Sequence, residues 1–243
     1  MYPKSGKIIV NSDENGYDIA HYLGIPMNKV VTVYNSLDFD LINKGQLEPI
    51  EEHIFSKIKD KRIFVTVWRL VWQKRHEKII HVFKRIYDEI DDNFVYLVIG
   101  DWPEKPRLDS LVHKLWLKNN IFLLWSQKNV FKYLKVSDYF VYASDYEWFP
   151  NVFLEAIACK VPIITTNFKT WAQEAVIWSY KQGHIDYPLM SNNWVLIDSK
   201  DFESQFMYVY THLDMIHTEQ TGLKNFSIEK IVEDTLNVLL NQK

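Results

Sequence analysis

The sequence predicts an α/β protein, a doubly wound domain on a parallel sheet, and three observations carry that reading. Short β-branched and aromatic runs alternate with stretches of helical spacing, the pattern of parallel strands joined by crossover helices. Runs such as FVYLVI show no polar alternation, as expected of strands covered on both faces. The composition, 47% apolar and 24% charged over 243 residues, is that of a globular chain with a substantial core.

Strands are expected at VVTVYN (30–35), RIFVTV (62–67), FVYLVIG (94–100), IFLL (121–124), YFVYA (139–143) and VPIITT (161–166), each rich in residues that suit a pleated surface. Helices are expected at about 76–90, 104–118, 129–136, 151–159, 171–178, 201–216 and 227–241, from apolar residues recurring at helical spacing. The segment 43–60 is polar, contains Pro49 and reads as a connection, which leaves a stub ahead of the main domain. In such folds ligands bind beyond the carboxyl ends of the strands, so the loops that follow strands carry the chemistry.

Several functions are disfavoured at once. A net charge of −3 supplies no global field for nucleic acid. The single Cys159 has no disulfide partner within the chain, which suits a reducing compartment, and its place in FLEAIACK suits a buried structural thiol. No apolar run reaches the ~18–20 residues of a membrane span, and the N-terminus lacks the apolar core of a signal peptide, so a cytoplasmic location is expected. The eight histidines show no metal-ligand spacing, and the glycine-rich phosphate motifs and the nucleophile-elbow motif are absent.

Two loops remain as chemical candidates. After strand 62–67 comes WRLVWQKRHE, where Arg69, Lys74 and Arg75 cluster as a strand gives way to a helix; they form either an anion site or a solvated basic face. After strand 139–143 comes SDYEWFPNVFLEA. Pro150 is placed as the first residue of a helix, where its missing N–H costs nothing. The helix is apolar on every face except at Glu155, and a buried carboxylate needs a donor, from the protein or from a ligand hydroxyl. Glu147 lies eight residues earlier at the loop mouth; the plainer alternative is a surface acid plus a salt-bridged core acid.

Taken in order, these stretches resemble the C-terminal domain of family-4 retaining glycosyltransferases. VVTVYNSLD resembles the family's "iyNgvD" segment, RIFVTVWRLVWQKRHEKII its "vGRL…K" phosphate loop, and VIGDWPEKPRL its "vGdGp…L". IFLLWSQKNVFKYLKVSDYFVYAS resembles "v.flG…yl..aD.fv.pS", EWFPNVFLE fits the E-x7-E motif, and NFSIEKIVEDTLNVL resembles the closing helix. The resemblance implies the Rossmann-like C-terminal half of a GT-B fold. Residues 1–42 would be the tail of an N-terminal acceptor-binding domain, 43–60 the interdomain connection, 61–225 the nucleotide-sugar domain and 226–243 the closing helix. It implies transfer of a hexosyl or N-acetylhexosaminyl group from a nucleotide-diphosphate sugar, UDP-sugar favoured, to a glycan or polyprenyl-diphosphate-linked acceptor, at the cytoplasmic or inner membrane face. Arg69 and Lys74 would hold the diphosphate, Glu155 the ribose hydroxyls and Glu147 the donor sugar. Trp148, Phe149, Pro150 and Asn151 would face sugar or phosphate, Gly100 would line the donor site, and Lys128, Asn129 and Val130 would lie near the base. No cofactor or metal is implied. The rival readings are a module that binds nucleotide sugar without catalysis or supports a partner, and an unrelated nucleotide-binding domain.

The chain departs from that pattern in two ways. An N-terminal domain would be mostly missing, so the chain would be a fragment, an internal-start product or one subunit of a split enzyme. As one subunit of a split enzyme it would pair with an N-terminal-domain partner chain, and in any case it would bind donor weakly and transfer little alone. The other departure is compositional. Glycine is scarce, 7 of 243, against a usual share of about 7%. Tryptophan numbers nine. Trp68, Trp102, Trp116, Trp125, Trp148, Trp171 and Trp194 stand where the resemblance calls for glycine, and Trp72 and Trp178 fall at variable positions. The expectation is a gene whose UGA codons mean glycine, written out with tryptophan instead.

Overall fold

A computed structural model of the chain describes residues 6–101, 103–145, 147, 150–168, 189–191, 194–216 and 223–240. It opens with a small unit in which β1 (Ile8–Val10) pairs in parallel with β2 (Val30–Thr32) across α1 (Asp13–Leu23). Sequence reasoning missed β1 and α1. The strand is only three residues long, and the first turn of the helix, Asp-Glu-Asn-Gly, is poor in helix formers. What starts α1 is its cap: the Ser12 side chain accepts the Asn15 N–H at 3.2 Å.

Two short helices follow, α2 (Phe39–Gly45) and α3 (Glu52–Ile58). The second lies in the segment read as a polar connection. Its Ile54 and Ile58, one turn apart, are buried against the main domain, and the polar remainder faces outward. The main domain then alternates β3 (Arg62–Val67), α4 (His76–Glu89), β4 (Phe94–Ile99), α5 (Lys105–Lys114), β5 (Ile121–Leu124), α6 (Phe131–Val136), β6 (Tyr139–Tyr142), α7 (Asn151–Ala158) and β7 (Ile163–Thr166). After it come β8 (Leu189–Ser191), β9 (Trp194–Ile197), α8 (Phe202–Tyr210) and α9 (Ile228–Leu240). The helix expected at 171–178 lies outside the described residues. The one expected at 201–216 stops at Tyr210 and resumes as a 3₁₀ turn at Leu213–Met215. Sequence reasoning missed β8 and β9.

The sheet runs β5-β4-β3-β6-β7-β9-β8; all pairings are parallel except β8 with β9. Its six parallel strands have the doubly wound order, third-second-first-fourth-fifth-sixth, with the direction of winding reversed between β3 and β6. Alternate strand residues feed two apolar layers. Ile63, Val65, Val95 and Leu97 join Ile54, Leu134, Phe153 and Leu154 on one face; Phe64, Phe94, Tyr96 and Val98 join Phe83, Val112 and Phe206 on the other. Both faces are covered, which is why the strands read as unbroken apolar runs. Among the described residues no helix is long and apolar enough to cross a membrane.

The ends of α1 and α5 are built alike. After α1, Gly24 takes the left-handed conformation (φ 63°), Ile25 N–H donates to Ala20 O at 2.8 Å and Gly24 N–H to His21 O at 3.4 Å. After α5, Trp116 has φ 62°, Leu117 N–H donates to Val112 O at 3.0 Å and Trp116 N–H to His113 O at 3.1 Å. Both are Schellman endings, whose left-handed position favours glycine. The Trp116 side chain is 84% exposed and offsets little of the strain with packing. Lys160 ends α7 the same way, so a side chain is tolerated there, at a cost. Trp116→Gly is therefore expected to stabilise the chain by about 1 kcal/mol, a rise of a few degrees in Tm by calorimetry; a fall in Tm would count against the strain.

Candidate functional site at the switch point

The reversal of winding leaves a crevice between the carboxyl ends of β3 and β6, and both candidate loops leave from there. They are tied together by backbone: Asp145 N–H donates to Gln73 O at 3.1 Å, and the Ser144 hydroxyl reaches the same carbonyl at 3.3 Å. Arg75 adds a charged tie, its Nε donating to Asp145 Oδ2 at 2.6 Å. Gly100 ends β4 against β3 so closely that a Cβ there would stand 1.8 Å from the Trp68 carbonyl oxygen, so no larger residue fits.

A cavity of about 420 Å³ opens at this edge, lined by Trp68, Arg69, Gly100, Asp101, Ser126, Gln127, Val130, Asn151, Val152 and Glu155 among others. It joins residues from the loop after β3, the end of β4, the loop after β5 and helix α7. Asn151 and Glu155 are one turn apart on α7 and so share its cavity-facing side. Asn151 is also bound from outside the main domain, its Oδ1 accepting from Asn35 Nδ2 at 2.7 Å. Burial raises the Glu155 carboxyl above its ordinary range, and among the described residues no side chain donates a hydrogen bond to it.

Lys74 and Glu147 sit beside the cavity rather than on its wall. Lys74 is only 2% exposed, a cost met by an ion pair with Glu147 and by the Tyr142 hydroxyl, which accepts from Lys74 Nζ at 3.2 Å and donates to Glu147. The ammonium also lies over the Trp68 ring, 4.5 Å from its centroid. Burial lowers the Lys74 pKa; Glu147 opposes the shift and nearby Arg69 adds to it. Burial and the Glu147 charge push the Tyr142 phenol well above its ordinary value, so it stays a donor at neutral pH.

The structure thus brings Arg69, Gly100, Val130, Asn151 and Glu155 to one cavity and joins Lys74 to Glu147 next to it. Pro150 caps the start of α7, with no side chain toward the cavity wall. Trp148 and Phe149 lie outside the described residues. Lys128 and Asn129 are not on the cavity wall. Asn129 is a local brace, its Nδ2 donating to Gly45 O at 2.8 Å and its Oδ1 accepting from Phe131 N at 2.9 Å. The wall takes Ser126 and Gln127 instead, two residues earlier, since the chain has already turned into that brace. Sequence reasoning also missed Asp101 and Tyr142; the only signal for Tyr142 was its place at the end of a strand.

His76, next to Lys74, is buried, and burial lowers its pKa to about 4; the Lys74 charge adds to the shift and the Arg69 backbone opposes it. The folded pKa lies below the unfolded value of about 6.5, so the unfolded chain takes up the proton first. Stability is then intact above about pH 6.5 and lost as pH falls toward 4. Between pH 7.5 and 5, urea unfolding should show the chain losing about 2 kcal/mol more than His76→Leu loses; equal losses would refute the assignment.

A second cavity, of about 470 Å³, lies between α4, α5 and the turn before α8. Its charges are largely matched: Arg107 pairs with Glu77 and Glu104, and Glu203 with Arg85.

The fold is a doubly wound α/β domain with a crevice at its switch point. A family model, glycosyl transferases group 1, matches residues 49–185, more than half of the chain, and the chain belongs to that family. It is 31% identical over 237 residues to an uncharacterized glycosyltransferase of Methanocaldococcus jannaschii, covering 97% of this chain and 58% of that one. It is 28% identical over 245 residues to the N-acetylgalactosamine-N,N'-diacetylbacillosaminyl-diphospho-undecaprenol 4-alpha-N-acetylgalactosaminyltransferase of Campylobacter jejuni, covering 99% of this chain and 61% of that one. The chain therefore spans about three fifths of the length of these curated relatives. Among solved structures, a Rickettsia africae glycosyltransferase superposes with a TM-score of 0.79 at 20% identity, over 99% of this chain and 65% of that one. Anabaena HepE in complex with UDP gives 0.74 at 14%, over 97% and 64%. At such identities the likeness shows the fold alone, that of GT-B glycosyltransferases.

Proposed function

We propose that this chain is the donor-binding part of a family-4 retaining glycosyltransferase. It takes a UDP-sugar and serves transfer of a hexosyl or N-acetylhexosaminyl group to a glycan or lipid-linked acceptor in cell-surface glycoconjugate synthesis. The observation that carries the reading is the cavity at the switch point, where Arg69 from the loop after β3 and Glu155 from helix α7 face one space. A nucleotide diphosphate suits that pairing: the guanidinium binds phosphate oxygens, and the carboxylate accepts from the ribose hydroxyls, the donors its burial demands.

When the sugar–phosphate bond breaks, negative charge grows on the leaving diphosphate. Arg69 stabilises it from the cavity wall, and Lys74 joins it by turning from Glu147, which becomes available to the sugar. These two cations supply the charge neutralisation that a metal provides elsewhere, so no metal is required. The acceptor side of the cleft belongs to an N-terminal domain, on the same polypeptide or a partner chain, and work on a lipid-linked acceptor would hold the protein at the inner face of the membrane. The named activity of the Campylobacter jejuni relative, on a diphospho-undecaprenol acceptor, supports that acceptor class, and the UDP in Anabaena HepE supports the nucleotide.

The test is calorimetric titration of UDP into this chain and its Trp68→Gly form. Saturable binding that Arg69→Ala weakens at least about tenfold is expected; no binding to either form would overturn the reading. A second reading, a module without activity, is favoured by Trp68 itself, a cavity-lining residue whose ring packs against the Lys74 ammonium.

A further inference from the structure

The donor reading gives roles to Lys74 and Glu147 but leaves Tyr142 unused. Yet Tyr142 is the residue that touches both. It is the last residue of β6 and 1% exposed. Phe153 packs edge-on at 5.2 Å between centroids, Phe168 lies at 6.2 Å, and the Trp68 ring at 5.9 Å. Phe153 belongs to α7 and Trp68 to the loop after β3, so the ring is gripped by both walls of the crevice. A side chain so fixed cannot follow its partners; they must organise around it. Its hydroxyl accepts from Lys74 and donates to Glu147, and no other described side chain bonds to both.

We propose that Tyr142 is a positioning residue for nucleotide-diphosphate binding, its hydroxyl setting where the Lys74 ammonium stands and holding the Glu147 carboxylate when that ammonium turns to phosphate. The inference rests on the donor-site reading. Without the hydroxyl, moving Lys74 would cost the buried carboxylate its ion pair and the Tyr142 hydrogen bond together, which favours keeping the ammonium in the pair. With it, the carboxylate keeps one strong hydrogen bond throughout.

A double-mutant cycle on UDP affinity separates positioning from packing. Tyr142→Phe keeps the ring and removes only the hydroxyl. UDP is titrated into the chain, Tyr142→Phe, Lys74→Met and the double variant, and the set is repeated on the Trp68→Gly background so that weak affinity does not hide the comparison. The expected result is a five- to tenfold loss for Tyr142→Phe, a larger loss for Lys74→Met, and no further loss in the double variant. Losses that multiply, or a Tyr142→Phe affinity within twofold of the parent, would overturn the proposal. Failure of both parents to bind UDP would instead overturn the donor reading. Should Tyr142→Phe lose its cooperative melt, proton NMR of the unsubstituted chain decides: the Tyr142 hydroxyl proton should exchange slowly and shift on UDP saturation, and a resonance that UDP leaves unmoved refutes the role.

Discussion

Trp68→Gly is expected to raise affinity for UDP by about tenfold or more, roughly the 1.4 kcal/mol that one well-placed phosphate contact supplies. The reason lies in what the indole occupies. Trp68 follows β3 at the crevice, is one of the cavity-lining residues and carries the Lys74 ammonium over its ring. Its own Nε1 is buried with no hydrogen-bond partner among the described residues, a cost of about 1–3 kcal/mol that the fold bears for nothing visible. Glycine removes the orphaned donor, widens the cavity and leaves Lys74 a path to phosphate. An unchanged UDP affinity would show that the indole does not block the phosphate region.

The same expectation extends to the protein as its source makes it. Peptide masses from that source should show glycine where tryptophan is written, with Trp68 and Trp116 the decisive positions. One sits in the crevice and the other in a left-handed helix ending that Gly24 satisfies at the equivalent point of α1. Trp194 is the counterweight: it is buried in β9 within the core, where an indole has packing to contribute. Tryptophan masses at 68 and 116 would end the recoding reading and strengthen the inactive-module one.

The second large effect is at Glu155. Glu155→Leu is expected to raise Tm while weakening UDP binding about ten- to hundredfold, the range for losing a charged hydrogen-bond acceptor. Burial disfavours its charged form, so its folded pKa lies above the unfolded one. Such a carboxyl lowers stability at neutral pH, and leucine relieves that cost. With nucleotide bound, the ribose hydroxyls supply the missing donors. A variant that is both more stable and deficient in binding is the mark of a residue kept for a ligand. A variant that melts lower and binds UDP normally would make Glu155 a structural acid.

Much of this was legible along the chain. The strands from 62 to 166 could be read because both faces of a buried parallel strand are apolar, a property of short windows. Pro150 marked the start of α7, and Glu155 stood out as the lone charge in an apolar helix. The helix α3 could have been found from Ile54 and Ile58 at one-turn spacing, but the polar residues around them hid it. What no window contains is pairing across the fold. Lys74 and Glu147 are 73 residues apart, and their meeting, with Tyr142 between them, follows from β3 and β6 being neighbours at the switch point. The choice of Ser126 and Gln127 over Lys128 and Asn129 for the cavity wall was likewise settled by one bond, from Asn129 to the Gly45 carbonyl, that crosses between elements. Hydrophobic periodicity and turn chemistry are local and survive in sequence. Strand order, burial of charge and the partner of each polar group depend on which distant segments pack together, and tertiary structure alone decided those.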